Sequence, residues 1–323
     1  MKILVTGATG FVGGALVDEL ERRGHAIRVF VRPGRGKALA ERGFEIAEGD
    51  IADTAALGRA IEGCDTVYHM AGQMLGDRTG TRQYRRVNVD GVAAVVEACR
   101  GKPVRLIHAS TVGVYGMIKN PPVDETSPVS PSTPYRASKY EGETMVRRAM
   151  ADDGLAAVIV RLPAMIGPRS TLWLGLTKAI AAGNFRIVGD GTNTDHITFI
   201  SDAVEGLILC GETPGIEGKT FLLAGTDEVS INHIVAQIAR ELGAPEAKGH
   251  LPRWPYALYS RLSEMSYAVL GQELPGVHRY SLFLNRKAFS IEKARQGLGF
   301  DPKIDFDEGI ARTIGWYRAE GLL

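Results

Sequence analysis

Tyr135 and Lys139 stand four residues apart in Pro134-Tyr-Arg-Ala-Ser-Lys139, a spacing that places both side chains on one face of an α-helix. A phenol titrates near ~10 in water, and an ammonium within a few ångströms favours its ionised form. The pair therefore reads as a general acid/base brought within reach of neutral pH. Ser110 and Thr111 close the β-rich run that begins at Val104, and a hydroxyl there can orient a carbonyl or an alcohol. A third cluster is Thr6-Gly-Ala-Thr-Gly-Phe-Val-Gly13, which follows the first β-branched run and opens a helical stretch. Glycines at such a turn permit a tight bend and close backbone approach to a pyrophosphate, and the helix N-terminus adds free N–H groups and the positive end of its dipole.

These groups need a scaffold that brings strand ends together. Short runs suited to strands, Ile3 to Val5, Ile27 to Val31, Phe44 to Ile46, Thr66 to Tyr68, Val104 to Ile107 and Val158 to Val160, alternate with helical stretches at Val12 to Arg23, Ala55 to Glu62, Tyr84 to Arg100 and Tyr135 to Asp152. That rhythm predicts βαβ units and an α/β Rossmann-type, doubly wound parallel sheet whose ligands bind at the carboxyl ends of the strands. Past about Gly167 the rhythm gives way to helices at Thr171 to Ala182, Ala203 to Cys210, Ile231 to Leu242 and Asp307 to Ala319, punctuated by Pro and Gly. The expected organisation is a dinucleotide-binding domain over 1–166 with a returning segment at about 196–225. A smaller, mostly helical substrate lobe would take 167–195 and 226–323. The proline-rich stretch Asn120 to Pro134 reads as a surface loop, with Ser132 or Thr133 capping the Tyr135 helix and Pro134 at its first position.

Composition removes several function classes. A chain of 323 residues, 45% hydrophobic and 23% charged, is ordinary for a globular protein with a sizeable core. A net charge of +1 provides no basic face for nucleic acid. Cys64, Cys99 and Cys210 are widely spaced, so buried thiols are expected rather than a disulfide framework or a metal site. The N-terminus runs directly into a strand, and the expected location is cytoplasmic.

The order of motifs resembles the extended short-chain dehydrogenase/reductase superfamily. The resemblance rests on Gly7-x-x-Gly10-x-x-Gly13, Gly49-Asp-Ile51, His69-Met-Ala-Gly72, Asn88-Val-Asp-Gly91, Ser110 to Gly116, Tyr135 to Lys139, and Arg161 to Pro168. It implies a nicotinamide cofactor held by Gly7, Thr9, Gly10, Phe11, Val12 and Gly13, with Asp50 and Ile51 framing the adenine. Ala71, Ser110, Tyr135, Lys139 and Pro163 are further contacts, and Lys139 would bond the cofactor ribose. Counting back from Val114-Tyr-Gly116 sets Thr111 on the catalytic position, with Ser110 the second candidate, so Thr111, Tyr135 and Lys139 form the expected catalytic trio. At the end of the second strand stand Val31 and Arg32, with Arg35 and Lys37 behind. A guanidinium there suits a 2′-phosphate, which favours NADP(H), with NAD(H) the alternative.

For the substrate, the pattern looks like the branch of 3β-hydroxysteroid dehydrogenases and 2-alkyl-3-oxoalkanoate reductases, which implies a hydrophobic secondary alcohol or ketone. The alternative is a nucleotide-sugar epimerase, dehydratase or reductase. Where such enzymes carry an Asn and an Arg that grip the diphosphate, this chain has Ala164 and Asp195, and an Asp facing a diphosphate would repel it. A non-catalytic dinucleotide-binding regulator or assembly subunit is a third reading, weakened because Tyr135 and Lys139 are both present. The aromatic-rich stretch Leu251 to Leu270 could line a hydrophobic pocket, rest on a membrane surface, or bury a core or homodimer face. His196 is expected to be structural.

Overall fold

The computed structural model describes residues 1–74, 80–274 and 276–323. Seven parallel strands form its main sheet: β1 (Lys2–Thr6), β2 (Ala26–Val31), β3 (Glu45–Glu48), β4 (Thr66–His69), β5 (Arg105–Thr111), β6 (Ala157–Leu162) and β7 (Thr220–Leu222). Their spatial order is β7-β6-β5-β4-β1-β2-β3. The chain winds outward from β1 through β2 to β3, then returns to the other side of β1 to lay down β4. The strand order therefore reverses between β1 and β4, and the crevice at that switch point is where ligands of open α/β sheets bind.

Alternation along the strands feeds two apolar layers. Ile3 and Val5 of β1 enter one layer with Leu16, Val17 and Leu20 of the Phe11–Arg22 helix and Ala203 and Leu207 of the Ile200–Glu212 helix. Leu4 points the other way, to Leu57 of the Thr54–Ile61 helix, Val92 and Val95 of the Gly91–Cys99 helix, and Val146 of the Pro134–Asp152 helix. Both faces of the central strands are covered, which is why they read as apolar runs rather than alternating ones. Cys64, Cys99 and Cys210 are buried free thiols, as expected.

Sequence and structure differ at two places near the site. The third strand sits at Glu45–Glu48, not Phe44 to Ile46, because pairing with β2 sets its register through Arg28↔Glu45 and Val31↔Glu48. The single helix expected over Tyr84 to Arg100 instead comprises a turn at Thr81–Arg85, a π-helical turn at Arg86–Asp90 and an α-helix at Gly91–Cys99. Smaller strand pairs stand outside the main sheet: Met165–Ile166 with Thr198–Phe199, Thr194–His196 with Glu228–Ser230, and Ile187–Val188 with His250–Leu251. They carry the helices Leu174–Ala181, Ile231–Leu242, Trp254–Leu270 and Phe306–Ala319.

The glycine turn illustrates how tightly the switch point is built. Gly7 has φ +73°, and a Cβ on it would lie 2.7 Å from the Ala71 nitrogen after β4. A Cβ on Gly13 would lie 2.2 Å from the Gly7 carbonyl oxygen. Those neighbours are backbone and cannot swing aside. Gly13→Ala is therefore expected to cost about 1–3 kcal/mol of stability through overpacking. A thermal melt of the variant with no loss against wild type would show that the turn relaxes freely.

Candidate active site

The first-turn helix that follows the glycine turn is capped by Gly10, which supplies no side-chain acceptor. Its N–H groups and positive dipole end thus face the switch-point crevice without a carboxylate or hydroxyl cap of their own. A cradle shaped by Gly7, Gly10 and Gly13, too tight for a Cβ at Gly7 or Gly13, fits a dinucleotide pyrophosphate. Thr6 braces the cradle from β1: its hydroxyl accepts from the Ala71 amide at 3.2 Å and bonds His69 Nδ1 at 2.9 Å. Thr9 is exposed on the turn, whereas Phe11 and Val12 open the helix partly buried against the core. Asp50 and Ile51 follow β3. The Asp50 carboxylate accepts from Ala52 N–H at 3.0 Å and pairs with Arg86 at 2.6 Å, and the Ala52 bond, then Arg86, hold it below its ordinary pKa despite partial burial. Arg32 is exposed at the end of β2.

Thr111 ends β5, where its hydroxyl accepts from the Gly113 amide at 3.0 Å. Tyr135 opens the Pro134–Asp152 helix one residue after Pro134, and Thr133 is the cap, its side chain accepting from Arg136 N–H. The Tyr135 phenol lies 3.9 Å from the Met74 sulfur, and the Thr111 side chain is near enough to favour its ionised form. Tyr84 packs edge-on against its ring, with centroids 5.9 Å apart. Burial pushes the phenol up to about 12, opposed by the Thr111 side chain. The lowering expected from Lys139 is not what the structure shows. Lys139 donates instead to the Ala109 carbonyl at 2.6 Å, and burial pushes its ammonium down to about 8, with Glu143 pulling it back up. Desolvation outweighs the Coulomb attraction that the spacing suggested, and it drives both members of the pair toward their neutral forms.

Ser110 faces away from this cluster. Its hydroxyl donates to Glu143 at 2.6 Å in a fully buried network that sequence reasoning did not single out. Arg161 pairs with Glu143 at 2.7 Å and donates to the Tyr115 hydroxyl at 2.7 Å, while Arg147 adds a further contact to Glu143 at 2.9 Å. Burial alone would raise the Glu143 carboxyl, but Arg161, Ser110 and Arg147 together hold it below the ordinary carboxylate range. Asn88 was also missed. Presented by the π-helical turn, it accepts from Gln73 N–H at 2.8 Å and donates to Ser138 at 3.0 Å, tying the segment after β4 to the Tyr135 helix. The helical offset from Lys139 to Glu143 was a usable signal. No local pattern announced the π turn.

Pro163 and Ala164 follow β6, Pro163 buried and Ala164 partly exposed. Asp195 lies in the Thr194–His196 strand. It is buried and paired with Lys287 at 2.7 Å, so it offers no free charge to repel a diphosphate. His196 is structural: it bonds the Gly225 carbonyl at 3.0 Å, accepts from Phe289 N–H at 3.2 Å and stacks on the Phe289 ring.

With this geometry in place, residues 3–224 match the NAD dependent epimerase/dehydratase family. The chain belongs to that family. Among its relatives, the 2-alkyl-3-oxoalkanoate reductase of Stenotrophomonas maltophilia is 30% identical, the match covering 97% of this chain and 98% of the reductase. The UDP-glucose 4-epimerase of Mycolicibacterium smegmatis is also 30% identical, covering 98% and 99%. The UDP-glucuronic acid 4-epimerase of Bacillus cereus, solved in complex with NAD, superposes with a TM-score of 0.80 over 99% of both chains at 24% identity, a likeness of fold. This epimerase/dehydratase-family chain is thus an NAD-dependent enzyme with an extended short-chain dehydrogenase/reductase fold. Its relatives fit the nucleotide-sugar alternative better than the hydrophobic-ketone expectation.

The buried carboxylate generates a prediction. Glu143→Gln leaves Arg161 buried without its counter-charge, which is expected to cost about 3–5 kcal/mol at neutral pH. Because the folded-state pKa of Glu143 is depressed, its stabilisation is present above the ordinary carboxylate range and is lost as pH falls through the folded value. Melts of wild type and variant should therefore converge as pH is lowered through that range. A gap that stays constant would remove Glu143 ionisation as the cause.

Proposed function

We propose that this chain interconverts a secondary alcohol and a ketone, with Tyr135 moving the proton, Thr111 orienting the reacting oxygen and Lys139 supplying positive charge. The convergence of Thr111 at the end of β5 with Tyr135 at the start of its helix, and Lys139 one helical turn along, carries the reading. A bound nicotinamide supplies or accepts the hydride. In reduction, the Tyr135 hydroxyl donates its proton to the substrate oxygen while the Thr111 hydroxyl holds that oxygen in place. In oxidation, the same phenol oxygen takes the proton back.

The substrate class favoured by the relatives is a nucleotide sugar, oxidised at a ring hydroxyl; the pairing of Asp195 with Lys287 removes the charge objection to it. A second reading, a hydrophobic 3-oxoacid or sterol-like ketone, is favoured by the mouth of the site. There exposed Met74 lies against the Tyr135 hydroxyl, and Ala164 stands at a position where a polar grip was expected. For the cofactor we favour NADP(H), because exposed Arg32 stands at the end of β2.

Three measurements test these assignments. Tyr135→Phe is expected to lose about 10²–10⁴-fold in turnover on a substrate found in a panel of nucleotide sugars, 3-oxoacids and 3-ketosteroids; near wild-type turnover would remove Tyr135 from the chemistry. The panel also decides the class, since saturating turnover of a nucleotide sugar sinks the hydrophobic reading and turnover confined to ketones sinks the sugar reading. Lys139 titrates at about 8, so kcat/KM for reduction should fall as pH rises through that value while the ammonium is lost. A flat profile from pH 7 to about 9 would contradict it. Arg32→Asp should shift preference from NADPH toward NADH by about tenfold or more, the value of one charge-assisted contact to a phosphate. Equal use of both cofactors before and after the change would dismiss the Arg32 assignment.

A further inference from the structure

The Trp254–Leu270 helix has an apolar face left uncovered among the described residues. Trp254, Leu258, Leu262, Met265 and Val269 recur every three or four residues, so they share one stripe, and they are 47–80% exposed. Of the seventeen residues in the helix, Ser263 alone is buried. A soluble helix ordinarily turns such a stripe inward, and a contiguous exposed one marks an interaction surface.

The charges around the stripe indicate what covers it. Arg261 is exposed on the helix and Lys248 and Arg253 just before it, Arg253 also donating to the Leu284 carbonyl; the exposed carboxylate in that stretch is Glu246, so cations are in excess. The helix's one carboxylate, Glu264, is half-buried and turned toward Arg136, which feels it together with Glu273. The outward face is therefore Trp, Leu, Met and Val bordered by cations. A second copy of this chain is a poor occupant. Arg261 lies near the midpoint of the helix, and twofold packing of this face on itself would bring the two Arg261 side chains together without a carboxylate partner. A bilayer with anionic headgroups satisfies both parts, taking the apolar side chains at the acyl boundary and pairing the cations with lipid phosphate.

We propose that the exposed face of the Trp254–Leu270 helix docks this enzyme on an anionic membrane surface. The placement is continuous with the site: Thr81 donates to the Gly271 carbonyl at the end of the helix, and Tyr84 in the same Thr81–Arg85 turn packs against the Tyr135 ring. Docking by this face sets the mouth of the cleft near the bilayer. It does not depend on which substrate is turned over, because vesicle binding is measured without substrate; its failure leaves the redox reading standing, and the converse holds.

The test is co-sedimentation of the full chain with large vesicles of phosphatidylcholine, alone or mixed with phosphatidylglycerol. Binding is expected to be about tenfold or more stronger on the anionic vesicles and to weaken with added salt. The double variant Leu258→Glu with Met265→Glu, and separately Arg261→Glu, should each lose about tenfold or more of that binding while the melting temperature and dinucleotide binding stay at wild-type values. Sedimentation velocity of the same proteins supplies the other arm. Absence of vesicle binding, equal binding to neutral and anionic lipid, or wild-type binding by the double variant would each overturn the proposal. So would a wild-type dimer that the double variant converts to monomer, which would make the face a contact between copies.

Discussion

The buried carboxylate of Glu143 is the constraint on which the geometry of the site depends. It sits on the helix that carries Tyr135 and Lys139, accepts from Ser110 on the strand that ends in Thr111, and pairs with Arg161 on the next strand. Three elements that arrive from separate parts of the chain are thereby fixed against one another through one group. An apolar residue could fill the space but could not impose that registration, since apolar contacts are non-directional and charge-assisted bonds are not. Arg161 carries the registration further, through Tyr115, to the carbonyl of Asp124 in the loop leading to the Tyr135 helix. The placing of Thr111 beside the Tyr135 helix is then a consequence of how strand and helix are tied.

What was legible in the sequence follows the range of the interactions involved. The glycine turn and the Tyr135 to Lys139 spacing are local patterns whose chemistry is complete within a few residues, so their position at strand ends could be inferred from the βαβ rhythm. The Thr133 cap and Pro134 at the helix start are equally local. Asp195 was misread because its partner, Lys287, is distant in the chain; a sequence shows the charge but not the ion pair that neutralises it. Asn88 lies within a quoted motif, yet its role depends on a π-helical turn, and the same residues in a regular helix would aim its side chain elsewhere. The Phe44 to Ile46 strand was placed too early because apolar content located it, whereas pairing with β2 set its register.

The protonation of Tyr135 and Lys139 shows the same limit in energetic form. Helical spacing alone argues for a phenolate beside an ammonium, but the protein buries both groups, and burial opposes charge on each. Tyr135 rises to about 12 and Lys139 falls to about 8, so burial moves each toward its neutral form while Lys139 keeps most of its charge at neutral pH. Two features act against that drift. Glu143, four residues beyond Lys139, favours the ammonium, and the Thr111 hydroxyl favours the phenolate. Each is supplied by the network that aligns the pair. Loosening Glu143 would therefore move the geometry and the protonation state together, because one buried carboxylate sets both.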